Sequence, residues 1–136
     1  MKLFEPRGRR TLEPRDQHFP TPVPIDAYGD GGFRFADMSH RGSIMVLPSG
    51  VHGWSAVTPK DVTLETLALA IDQAGEYDVL LVGTGVDLVP LPGAVAAALR
   101  ERGARFEVMS TGAAIRIFNI MIGENRKFAA AFLAVE

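Results

Sequence analysis

A chain of 136 residues with no cysteine, 47% hydrophobic, 22% charged and carrying a formal net charge of −2, has the composition of one soluble globular domain. That composition excludes a disulfide scaffold and any cysteine-ligated zinc or iron–sulfur centre. It is too apolar and too weakly charged for wholesale disorder, and it lacks the basic excess that drives non-specific nucleic-acid binding.

The first 21 residues read as a flexible N-terminal arm, rich in charge and broken by Pro6, Pro14 and Pro20. Residues 22–136 read as a single domain. Pro22 and Pro24 flank Val23, where an extended edge strand over Pro22 to Ala27 is expected, its prolines discouraging pairing by that edge. Tyr28-Gly29-Asp30-Gly31-Gly32 reads as a turn cluster, and Phe33-Arg34-Phe35 as the returning half of a hairpin. Ser43 to Leu47 is an apolar, β-branched run ended by Pro48-Ser49-Gly50, with Val51 to Trp54 returning beside it. The first half is thus expected to be a β meander, with Trp54 plugging its core or anchoring an interface.

The second half changes period. Thr63 is placed to cap a helix carrying Leu64, Leu67, Ala68, Ile71 and Ala74, with Gly75 closing it. Tyr77 to Val82 is a continuous apolar run suited to a strand buried on both faces. Pro92 belongs in the first turn of a helix running to Gly103, and Phe106 to Met109 is another strand. Ser110 or Thr111 caps a third helix with Ala114, Ile115, Phe118 and Ile122 on its apolar side, and Lys127 to Val135 is a last strand. Alternating strands and helices predict an α/β layer with a largely parallel sheet and right-handed crossovers.

No catalytic or metal-binding fingerprint stands out. Gly83-Thr84-Gly85 follows a buried strand, where open α/β sheets hold ligands, yet position 88 is leucine and neither a dinucleotide nor a Walker loop is present. The loop is either a tight turn needing unusual backbone angles or a cradle of N–H groups for a small anion. Ser110-Thr111-Gly112 is either an ordinary cap or a helix N-terminus facing that loop. Arg116 and Asn119 share a helix face beside the apolar stripe. They either grip an anion or partner backbone, or tie the helix to a neighbouring carbonyl or carboxylate. Asp87 is either a general base, for which the sequence offers no partner, or a solvating surface carboxylate. His18, His40 and His52 lack metal-ligand spacing and read as solvated loop histidines. No catalytic residue, metal or cofactor is assigned.

The run Asp78 to Gly85, then Pro90, then Glu107-Val108-Met109-Ser110-Thr111, Ala113-Ala114, Arg116, Phe118-Asn119 and Glu124-Asn125-Arg126-Lys127 before an alanine-rich strand, resembles the Mth938-domain family. The resemblance covers roughly Pro22 to the C-terminus. It implies a three-layer α/β domain with a central mixed, largely parallel sheet. Ile117 stands where the family often has threonine; a β-branched residue is kept, but its hydroxyl is not. A mitochondrial relative acts in respiratory complex I assembly, so the resemblance implies a non-enzymatic factor whose partners are other proteins, respiratory-complex subunits among them.

The expected binding surface is Gly83, Thr84, Gly85, Thr111, Arg116 and Asn119. The alternative is a small-molecule or anion-binding protein, or an enzyme, using the same edge. No run approaches the roughly 20 apolar residues of a membrane-spanning helix, and Met1 to Pro6 has no apolar signal core. A cytoplasmic protein without membrane insertion and without nucleic acid is therefore expected.

Overall fold

The computed structural model describes residues 17–136, and within them the strands are β1 (Gln17–Phe19), β2 (Ala27–Gly29), β3 (Gly32–Phe35), β4 (Met38–Arg41), β5 (Ser43–Leu47), β6 (Gly50–Trp54), β7 (Val79–Gly83), β8 (Phe106–Met109) and β9 (Phe128–Phe132). The helices are α1 (Ala68–Asp72), α2 (Gly93–Glu101) and α3 (Thr111–Gly123). Six strands form one sheet in the order β1-β6-β5-β9-β7-β8, and β2-β3-β4 form a second, smaller one.

Period-two alternation in the central strands explains the layering. In β5, Ile44 and Val46 point to one face of the large sheet, and Met45 and Leu47 to the other. In β7, Leu81 and then Leu80 and Val82 divide the same way, as do Ala130 and Phe132 against Ala129 and Ala131 in β9. Both faces are therefore apolar and both must be covered. The α1 and α2 side is closed by Leu67, Ile71, Val95 and Leu99, with Trp54 buried in the same cluster. The other side is closed by Ala114, Ile115 and Phe118 of α3 and by Phe33, Phe35 and Met38 of the small sheet. Phe132 is the joint between those two covers. Its ring meets Phe118 edge-on at 5.7 Å and Phe33 at 6.0 Å.

The result is the expected three-layer α/β domain with a mixed central sheet. Parallel pairing is confined to β9-β7-β8; β1, β6, β5 and β9 pair antiparallel. The sheet is thus more mixed than helix–strand alternation implies, because the N-terminal strands join it.

Several local expectations are corrected. The first half is not one meander, since β5 and β6 belong to the large sheet and β2-β3-β4 lie across it. Part of the expected arm, Gln17–Phe19, pairs with β6 as β1; residues 1–16 of that arm lie outside the described residues. Pro22 to Asp26 is not a strand. Two prolines remove its ladder donors, and Ile25 is held instead by a side chain of α3. Tyr28 and Gly29 lie in β2 and Gly32 in β3, so the turn is only Asp30-Gly31, both at positive φ (51° and 80°), as a two-residue hairpin requires. A second such turn, Ala36-Asp37 (φ 48° and 60°), creates β4, which the sequence pattern does not announce.

The helix expected from Thr63 is shortened to Ala68–Asp72. Thr63 and Thr66 tie up a preceding turn through their hydroxyls, Thr66 N–H donating to Thr63 Oγ1 at 3.2 Å. Gly75 lies in a 3-10 turn, Ala74–Glu76, rather than capping. Pro92 is the residue before α2, not its first turn, and the last strand stops at Phe132, short of Val135. Ser110 is the cap of α3, its Oγ accepting from Ala113 N–H at 3.3 Å.

Candidate functional site

β7 and β8 are parallel neighbours whose continuations leave on opposite faces of the sheet. The loop after β7 leads to α2 on one side, and β8 leads at once into α3 on the other. Divergence of this kind opens a crevice at the carboxyl ends of the strands, the usual ligand position of open α/β sheets. Four of the six predicted residues meet there: Gly83, Thr84, Gly85 and Thr111.

Here the chain's own hydrogen bonds fill the crevice. Thr84 N–H donates to Met109 O at 2.9 Å, and Thr111 N–H to Gly85 O at 2.8 Å. Gly85 N–H donates to Thr111 Oγ1 at 2.9 Å, and that hydroxyl donates to Leu133 O at 2.8 Å. Leu133 N–H reaches Gly83 O at 2.9 Å. Thr111 is fully buried and Thr84 nearly so. Gly83 allows the helix to seat this closely, since a Cβ there would lie 2.8 Å from Thr111 Cα. Gly85, at φ +100°, takes the unusual backbone angle that the sequence reading offered as one reason for its presence.

Thr84 also shapes the loop that follows. Its hydroxyl donates to Asp87 O at 2.7 Å and accepts from Val89 N–H at 2.9 Å. The loop is thereby braced with Val86 77% and Leu88 56% exposed. Asp87 is exposed and contributes its backbone carbonyl to this brace.

The remaining two predicted residues lie further along α3 and do different things. Asn119 accepts from Ile25 N–H and donates to Ile25 O, each at 2.9 Å, copying the pairing of a neighbouring strand. It ties the helix to a carbonyl, as one of its two sequence readings has it. The Arg116 side chain is exposed and makes no hydrogen bond or ion pair with any described residue. Along its face of the helix lie Ala113, one turn back, and Ile120, one turn on and 51% exposed. Tyr28 sits against the first turn of α3, its Oη 2.5 Å from where a Gly112 Cβ would be, and is 47% exposed. Tyr28 and Ile120 were not singled out from sequence. Tyr28 is hidden among turn residues, whereas Ile120 is legible as a large apolar residue off the buried stripe.

Hollows of about 370 Å³ beside Trp54, Val57 and Glu136, and of about 350 Å³ beside Tyr77, Arg126 and Phe128, include none of the six predicted residues. The histidine expectation is corrected, and His18 lies in strand β1 rather than in a loop. His40 is buried in β4, its Nε2 3.1 Å from Ser43 O, and His52 is half-buried with Nε2 2.7 Å from Ser49 Oγ. Burial holds the His52 ring below the ordinary imidazole value. Trp54 is a core residue, its Nε1–H donating to Thr66 O at 2.8 Å. Among the described residues no group of three or more His, Asp or Glu could hold a metal ion, and no helix is long and apolar enough to cross a membrane.

A family profile described as protein of unknown function (DUF498/DUF598) matches residues 25–133. The mouse NADH dehydrogenase [ubiquinone] 1 alpha subcomplex assembly factor 3 is 32% identical over 85% of this chain, which spans 62% of that protein's length. The crystal structure of a Bartonella henselae protein described as an outer membrane protein is 49% identical, with TM-score 0.83 over 88% of this chain and 100% of that one. A solution structure from Bordetella pertussis, described as a Mth938-like domain, is 28% identical, with TM-score 0.69 over 82% of this chain and 85% of that one.

Proposed function

Because this chain belongs to the DUF498/DUF598 family and has the Mth938-like fold, we propose that it is a non-enzymatic accessory protein that binds other proteins in the cytoplasm and assists assembly of a membrane-bound respiratory complex. The observation that carries this reading is the likeness to complex I assembly factor 3 across most of the chain. The site geometry supports it from another direction. The crevice where the fold would hold a small ligand is closed by Thr84 and Thr111, whereas Tyr28, Arg116 and Ile120 stand exposed. Aromatic and arginine side chains are the types that dominate protein interfaces.

The test is genetic and biochemical. Deleting the gene in the source organism is expected to lower the amount of assembled NADH dehydrogenase on native gels, and the intact gene to restore it. An unchanged complex in the deletion strain overturns the reading. Affinity purification of the chain from solubilised membranes is expected to bring down subunits or assembly intermediates of that complex.

A further inference from the structure

We infer that this chain pairs with a second copy of itself through the free edge of β8, with Phe106 on the two-fold axis and Arg105 of each copy facing Glu107 of the other, so that two six-stranded sheets become one. The inference goes beyond the partner-binding reading and uses none of the residues on which that reading rests.

The large sheet ends at β8, which pairs with β7 and with no other strand among the described residues. Two hydrogen bonds fix which way its backbone points. Leu80 N–H donates to Arg105 O at 2.8 Å, and Thr84 N–H donates to Met109 O at 2.9 Å. In a parallel ladder alternate residues turn their N–H and C=O groups to the same neighbour. Arg105, Glu107 and Met109 therefore face β7, while Phe106 and Val108 turn theirs outward. Sheets commonly guard such an edge with proline, a bulge or charge. β8 has no proline, and its register with β7 runs unbroken from Phe106 to Met109. A hollow of about 350 Å³ beside Arg100, Gly103 and Arg105 to Glu107 lies along it. The guard left to β8 is the charge of Glu107.

That charge decides both the occupant and the register. Arg105 and Glu107 are exposed and, two residues apart, share one face of the sheet. A cation followed at this spacing by an acid is complementary to itself run backwards. An antiparallel second copy must set outward-facing residues against outward-facing residues, which allows β8 three two-fold registers. Centred on Glu107, the pairing sets Glu107 against its own image. Centred on Val108, it sets Glu107 opposite Met109 and matches no charges. Centred on Phe106, it sets Arg105 opposite Glu107 twice, at non-hydrogen-bonded positions where Cα atoms lie ~4.5 Å apart and side chains meet. The two Phe106 residues then exchange N–H···O bonds at the axis, and their rings adjoin on the opposite face of the sheet. On that face Arg100 lies over the Phe106 ring at 5.4 Å. Its exposed side chain is free to turn towards water, whereas strand register fixes the Arg105–Glu107 pairs. Glu101 and Arg102 follow at the end of α2, Arg102 beside a separate hollow with Glu65 and Asp72.

The test is sedimentation of the full chain at low salt over a roughly thousandfold range of concentration, with hydrogen exchange followed at the Phe106 amide. A monomer–dimer equilibrium is expected, the Phe106 amide slowing as the dimer fills. Glu107→Arg and Arg105→Glu each set like charges opposite one another twice, and each should weaken association by roughly tenfold or more. The double variant Arg105→Glu/Glu107→Arg restores both pairs in reverse and should dimerise again, as should an equimolar mixture of the two single variants. A chain that stays monomeric throughout overturns the inference. So does a dimer that the single variants leave unchanged or the double variant fails to restore, or a species that grows beyond two copies. A Phe106 amide protected at every dilution overturns it too, because the edge is then covered within one chain. Each of these failures leaves the assembly reading standing, and an unchanged respiratory complex in the deletion strain leaves the dimer standing.

Discussion

The seam joining Gly83–Gly85 to Thr111 and the exposed stripe of Arg116, Ile120 and the adjoining Tyr28 on the outside of the same helix differ in where their polar groups are spent. At the seam every hydroxyl is consumed internally: Thr111 bridges Gly85 and Leu133, and Thr84 bridges Met109, Asp87 and Val89. On the stripe Arg116 is spent on nothing within the described chain. A glycine–threonine loop at a strand end is therefore not by itself a ligand cradle. The same residue types close the crevice when a second element comes near enough, and Gly83 brings α3 that near. A region built this way tolerates little change, whereas the stripe should tolerate change in folding but not in binding.

Breaking the seam should have the largest effect. Thr111→Val keeps the shape and removes the hydroxyl, leaving Gly85 N–H and Leu133 O buried without their partner. The expected loss is roughly 2–4 kcal/mol, read as a shift in the urea unfolding midpoint at constant slope. A loss below about 0.5 kcal/mol would show that the crevice is not held shut by this residue.

Asn119→Ala tests the boundary between the two regions, because Asn119 sits on the helix flank beside the stripe yet is spent internally. Losing both bonds to Ile25 should cost about 1–2 kcal/mol and raise hydrogen exchange at the Ile25 amide more than elsewhere. A variant that folds with unchanged exchange at Ile25 but loses its partner would move Asn119 from scaffold to interface.

A smaller effect is expected from pH. The His52 ring is held below its ordinary value of 6.5 by burial, so the unfolded chain takes up a proton that the folded chain resists. Its contribution to stability is fully present above about pH 6.5 and is lost as pH falls through the lowered folded value. Thermal unfolding followed from pH 7.5 to 5.5 should show a falling midpoint. His52→Gln should flatten part of that fall.

Much of this was legible in the sequence for a physical reason. β5, β7 and β9 are covered on both faces, so their alternating or continuous apolar runs carry their own signature, and Ser110 and Pro92 mark the helix starts to within a residue. What was not legible depends on distance in the chain or on backbone angles that no residue type enforces. β4 hinges on Ala36-Asp37 at positive φ, a turn without glycine. Asn119 finds its partner 94 residues away. Whether Thr84 and Thr111 face a ligand or each other's strands depends on the seating of α3 over β7, which only the tertiary structure fixes. Tyr28 became visible as part of a surface only when the Asp30-Gly31 hairpin carried it to the first turn of α3.

The smallest change in stability is expected at Arg116, and that smallness is the point. Arg116→Glu removes an exposed cation that holds nothing in the described fold, so the unfolding midpoint should move by no more than the equivalent of about 0.5 kcal/mol. The added acid lies on the sixth residue of α3, beyond the first turn where the helix dipole would reward it. The same substitution should strip the partner from the stripe. Thr111→Val should show the converse, a large loss of stability with partner capture kept at temperatures where the variant remains folded. If Arg116→Glu instead lowered stability by more than about 1 kcal/mol, Arg116 would belong with Asn119 and Thr111 as a structural residue. The exposed stripe would then shrink to Tyr28 and Ile120.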